Sequence, residues 1–131
     1  MSIRSFKLFL AAALTAALCV ACGGGGGSAA PAPTGLAVVA GDTIATVSWD
    51  MVEGVEYWVF DVPTSKAPGS TTAMGPWIGV SGGATFVKAT SPFAVSGLVN
   101  GTGYSFSVNG RSSGGPGGPG ATPVTATPLA P

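Results

Sequence analysis

The sequence predicts an all-β domain, and three observations carry that prediction. Between Leu36 and Thr127, short apolar runs are separated by turns rich in Gly, Pro, Asn and Asp, the spacing of a sandwich or barrel. Several runs alternate between apolar and polar residues, as a half-buried strand requires, and none keeps a 3.6-residue apolar period long enough for a helix. Only 8% of the 131 residues are charged, while Thr, Ser, Val and Gly are frequent, which suits strands of small and β-branched side chains.

In chain order, Leu36 to Ala40 reads as a first strand, closed by a Gly41-Asp42 turn. Thr43 to Asp50 puts Ala45, Val47 and Trp49 on one face and Ile44, Thr46 and Ser48 on the other. Val55 to Val62 is the third strand, ended by Pro63 because proline cannot donate to a ladder. Pro63 to Gly83 is rich in Pro and Gly, shows no strand pattern, and holds an isolated apolar pair, Trp77-Ile78. Thr85 to Ala89 and Phe93 to Leu98 follow as strands, and Gly103 to Asn109 alternates with Tyr104, Phe106 and Val108 on one side. Gly110 to Gly120 is a Gly/Pro loop, and Pro123 to Thr127 a last short strand. Leu36, Val38, Val47, Trp49, Tyr57, Val59, Phe93, Val95, Leu98, Tyr104, Phe106 and Val108 form one inward set of period 2. The cysteines, Cys19 and Cys22, both precede the domain, so no disulfide staples it and its core must hold it together.

The first 21 residues do not fit a fold. Arg4 and Lys7 give a positive start, and Leu8 to Ala21 is an apolar or small run of about 14 residues. A membrane-spanning helix needs roughly 20, whereas the apolar region of an export signal needs about 7–15. The segment Leu18-Cys19-Val20-Ala21-Cys22-Gly23 resembles a bacterial lipobox, with Ala21 before the cysteine and Cys19 where that family usually carries Leu. The resemblance implies a signal peptide over 1–21 and a lipid on Cys22 that holds the protein in the cell envelope. Gly23 after the cysteine leans towards the outer membrane. The competing reading is ordinary cleavage after Ala21, leaving a secreted soluble protein. Residues 22–33, five glycines followed by Ser and an Ala/Pro stretch, read as a flexible tether.

Within 34–128 the residues resemble a fibronectin type III domain. Pro33-Thr34-Gly35-Leu36 is similar to that family's opening, Val47-Ser48-Trp49-Asp50 to its second strand, and Tyr57-Trp58-Val59 to its third. Leu98-Val99-Asn100-Gly101-Thr102-Gly103-Tyr104-Ser105-Phe106-Ser107-Val108 is similar to the segment in which a tyrosine forms a corner between two strands. The resemblance implies an immunoglobulin-like, seven-stranded β-sandwich.

Chemistry is sparse. There is no histidine, so the commonest general base and metal ligand is missing, and no catalytic, cofactor or metal site is expected. Asp50, Glu53 and Glu56 read as solvated loop charge. Downstream of Cys22, five acids face three bases, a net charge of −2 with no basic patch, which argues against nucleic acid. Trp58 and Phe60 must point away from the Tyr57/Val59 face. Either Trp77 and Ile78 fold back over them, or Trp58, Phe60 and Trp77 form an exposed platform that stacks on sugar rings or a partner protein. The expected function is a non-enzymatic, lipid-anchored module binding an envelope protein or polysaccharide. The alternative is a spacer preceding another domain, because Thr127 to Pro131 reads like the start of a linker.

Overall fold

The computed structural model describes residues 27–131; residues 1–21, expected from the sequence as a signal peptide, and Cys22, expected to carry a lipid, lie outside the described residues. Among the described residues eight strands are formed: β1 Ser28–Ala29, β2 Ala37–Gly41, β3 Ile44–Ser48, β4 Val55–Pro63, β5 Ala84–Ala89, β6 Phe93–Val95, β7 Tyr104–Ser112 and β8 Val124–Ala126. They build two antiparallel sheets, one in the order β1-β7-β4-β5 with β8 also on β7, the other β2-β3-β6. All seven strands expected from the sequence are present. The eighth, β1, comes from the stretch expected as tether.

The sandwich closes because alternate residues of both sheets are apolar. Ala45, Val47 and Trp49 meet Tyr57, Val59, Phe106 and Val108 in one buried cluster, sealed by Val95, Leu98 and Tyr104. Leu36, Val38 and Phe93 are only partly buried at its margin. At one pole Asn100 locks the β2–β3 hairpin: its Oδ1 accepts the Thr43 N–H at 2.8 Å and its Nδ2 donates to Asp42 Oδ1 at 2.7 Å.

Both long strands begin with the same device. The Tyr104 hydroxyl, at the start of β7, accepts the Val99 N–H at 3.0 Å; the Tyr57 hydroxyl, in β4, accepts the Val52 N–H at 2.8 Å. In each case the donor lies five residues upstream, so a buried ring ties down the loop entering its own strand. Only the first of these corners has a counterpart in the family resemblance.

Two segments expected as free are held by backbone bonds. Ser28 pairs with Ser112 and Ala29 with Arg111, while the buried Ala30 donates its N–H to the Gly110 carbonyl at 3.3 Å. The physical reason is that β8 pairs only with Tyr104–Phe106, leaving backbone groups exposed on the far half of the β7 edge. At the other end, Gly101 N–H donates to the Pro128 carbonyl at 2.8 Å and Leu129 N–H to the Gly41 carbonyl at 3.2 Å. The chain is therefore attached through Leu129, beyond the point where a linker was expected to start.

Replacing Tyr104 or Tyr57 by Phe leaves a loop N–H without its acceptor while keeping the ring. Each change is expected to lower unfolding free energy by about 1–2 kcal/mol, measured by urea denaturation.

Candidate functional site

The site is built on the outer face of the β4–β7 pair. Nine Cα pairs join these strands, from Val55 opposite Ser112 to Pro63 opposite Tyr104. Alternation turns Tyr57 and Val59 into the main core, so Glu56, Trp58, Phe60 and Val62 face the other way. The register sets Arg111 opposite Glu56, Asn109 opposite Trp58, Ser107 opposite Phe60 and Ser105 opposite Val62.

This outer face is covered. Residues 64–83 leave β4 through one 3₁₀ turn, Thr64–Lys66, and fold back through a second, Gly75–Trp77, with Pro76 inside its first turn. The second turn drops Met74 and Trp77 onto Phe60 and Val62, forming a second buried cluster with Trp58, Ala67 and Val80 at its edge. Trp77 is anchored further by its indole N–H, which donates to the Ser70 carbonyl at 3.1 Å. The polar β7 residues are satisfied by the chain lying above them. Ser107 Oγ donates to the Ala121 carbonyl at 2.8 Å, Asn109 Nδ2 donates to the Gly118 carbonyl at 3.0 Å, and Ser105 shares a hydroxyl bond with Thr64 at 3.1 Å.

The exposed three-ring platform is therefore corrected. Phe60 and Trp77 are each 1% exposed and present no ring face to a ligand, because they are packed on each other's cluster. Ile78, paired with Trp77 in the sequence, is instead 52% exposed. Trp58 alone of the three stays partly open.

Trp58 borders a cleft of about 310 Å³ whose wall includes Met74, Ile78, Asn109 and Arg111. One carboxylate oxygen organises its charged rim. Glu56 Oε2 accepts the Trp58 indole N–H at 2.7 Å and the Arg111 Nε at 3.1 Å, and pairs with Arg111 Nη2 at 2.9 Å. The Arg111 guanidinium also lies 5.2 Å from the Trp58 ring centroid, within cation–π range. The Trp58 hydrogen bond, followed by those from Arg111 and the charges of Arg111 and Lys88, holds the Glu56 carboxyl below the usual carboxylate range despite opposing burial. Glu56 is thus not the solvated loop charge expected from sequence. Arg111 is absent from the site residues expected from sequence, although an acid two residues before an outward Trp, facing a basic residue on the neighbouring strand, is the signal that finds it.

Asp61 is a separate feature at the end of β4, buried at 2% exposure with Oδ1 lacking a partner. Burial pushes its carboxyl up from the ordinary 3.8 to about 6, opposed by a backbone hydrogen bond from Ala84. Among the described residues no group of three or more His, Cys, Asp or Glu side chains is placed to hold a metal ion. No described helix is long and apolar enough to cross a membrane.

Several solved structures resemble this arrangement of strands. One titled "Myokine structure" matches with a TM-score of 0.52 at 22% identity, covering 74% of this chain and 96% of that one. The fn3 domain of human collagen alpha-1(XX) chain matches at 0.54 and 20% identity, covering 83% and 94%. The fold is that of a fibronectin type III domain. The chicken CNTN1 FN1-FN3 domains match at 0.59 and 15% identity over 89% of this chain. This chain spans 34% of that solved chain, about a third of its length. No protein-family model and no curated protein matches the sequence.

Trp77→Ala is expected to destabilise the domain by about 3–5 kcal/mol through cavity formation, while Ile78→Ala stays within about 0.5 kcal/mol, both by thermal denaturation. For Asp61 the folded state binds a proton more tightly than the unfolded chain. Its contribution to stability is therefore greatest below about pH 4, falls as pH rises through about 6, and is constant above. Asp61→Asn is expected to raise stability at pH 7.5 by about 1–2 kcal/mol and to change little at pH 4, measured by urea melts at the two pH values.

Proposed function

We propose that this protein is a non-catalytic interaction module, lipid-anchored at Cys22 in a bacterial cell envelope and sorted to the outer membrane, which holds a partner group in the Trp58 cleft. The observation that carries the reading is the cleft itself. Its volume lies at the lower end of the range for small-ligand sites, and its one open aromatic ring is held in place by the bond to Glu56. A fixed ring loses little entropy on contact, so it favours binding over mere surface display.

The rim chemistry narrows the ligand. The Arg111 charge is already balanced by Glu56, and the Trp58 N–H is already bonded. A charged ligand would have to break that pair before gaining a counterion, whereas an uncharged group with an apolar face loses nothing. An envelope polysaccharide built of neutral sugars, or an apolar side chain of an envelope protein, fits this description. The type III fold is equally compatible with a spacer role, and the binding experiment separates the two.

Trp58→Ala is expected to reduce binding to isolated envelope polysaccharide or sacculi at least tenfold in sedimentation assays. Its cost in stability is about 1–2 kcal/mol, since the ring is only partly buried. Binding that is absent in the parent protein, or unchanged in the variant, favours the spacer. Mass spectrometry of the mature N-terminus tests the anchor: a diacylglycerol thioether on Cys22 supports it, and an unmodified Cys22 refutes it.

A further inference from the structure

The Gly-rich tether and the Gly-rich loop after β7 meet. β1 lies along the β7 edge beyond the reach of β8, and the loop 113–123 passes over it. Three glycines permit the contact. A Cβ on Gly27 would overlap the Ser112 carbonyl, one on Gly115 would overlap Gly27, and one on Gly118 would overlap the Ala30 carbonyl. Gly118 N–H also donates at 2.9 Å to the Gly110 carbonyl, the same oxygen that receives Ala30 N–H. These glycines serve close approach of one backbone to another, whereas a Cβ on Gly69 would meet nothing within 4 Å.

We infer that Ser28–Ala30 is a strap that shortens the leash from Cys22 and holds the adjoining pole of the domain against the membrane carrying the anchor. This rests on the lipid-anchor reading above. From Cys22 to Ser28 there are six residue steps, at most about 20 Å fully extended; a leash running free to Thr34 would reach about 40 Å. The surface beside the strap suits a bilayer. Ser113 to Pro123 contains no charged residue, so the net negative charge of the domain lies elsewhere and does not repel anionic headgroups there. Arg111, the partner of Ala29 in the ladder, also lines the Trp58 cleft. The cleft therefore sits at the root of the leash, and the partner it reaches is one presented at the surface of that membrane.

The experiment uses the full lipidated chain in phosphatidylethanolamine/phosphatidylglycerol vesicles containing headgroup-labelled acceptor lipid. A donor dye is placed at Ser113→Cys, beside the strap, or at Val99→Cys, at the opposite pole. Transfer from position 113 is expected to exceed that from position 99 at least twofold. Gly118→Ala, which unseats the strap, should lower the signal from position 113, and Gly69→Ala should leave it unchanged. Slow amide exchange at Ala30 in the unaltered protein is the second expected result and needs no variant. Lipidated protein with equal transfer from both poles, or fast exchange at Ala30, overturns the strap while leaving the anchor intact. Protein that carries no lipid by mass spectrometry overturns the anchor, and the membrane-facing pole with it.

Discussion

The structure depends on one constraint: strand β4 carries apolar side chains on both of its faces. A type III sandwich needs only the inner face buried, and Tyr57, Val59, Phe106 and Val108 supply it. In this chain Phe60 and Val62 point outward from the middle of the same ladder, where water would otherwise meet them. Burying such side chains is worth about 1.5–3 kcal/mol each, enough to organise a segment whose only regular structure is two single 3₁₀ turns. Residues 64–83 supply Met74 and Trp77 for that purpose, and the chain after β7 closes over Ser107 and Asn109. The domain thus has a third, irregular layer.

The cleft follows from where this layer stops. The cap covers Phe60 and Val62 fully but leaves Trp58 at its margin. The next outward residue, Glu56, is polar, and its carboxylate turns the boundary into an ordered rim by binding both the Trp58 indole and Arg111. A partly open ring fixed by a hydrogen bond and flanked by a neutralised ion pair differs from a flat aromatic platform.

The strands were legible because their signal is local. Period-2 alternation in Ala45–Val47–Trp49 and Tyr104–Phe106–Val108 names the inner face without reference to any other segment, and the Tyr104 corner is marked by its preceding Leu98 and Gly101. The candidate site was legible only in part. That Trp58 and Phe60 face outward follows from alternation, but Trp77 and Ile78 are equally apolar neighbours, and only the 3₁₀ turn at Gly75–Trp77 decides which one is buried. Arg111 became visible once the register placed it opposite Glu56. Segments held by backbone bonds were the least legible, since N–H and carbonyl groups are the same in every residue. Ser28–Ala30 and Pro128–Leu129 look like linkers and are attached. Glycines 115 and 118 look like loop flexibility and serve as contact points.

The central claim is that the outer face of β4 and β7 is a buried second core with Trp58 at its open edge. Hydroxyl-radical footprinting of the folded protein, read by mass spectrometry, reports the exposure of all three tryptophans at once. The account predicts rapid modification of Trp58 and protection of Trp77 as strong as that of Trp49 in the main core. Modification of Trp77 at a rate equal to that of Trp58 would contradict it.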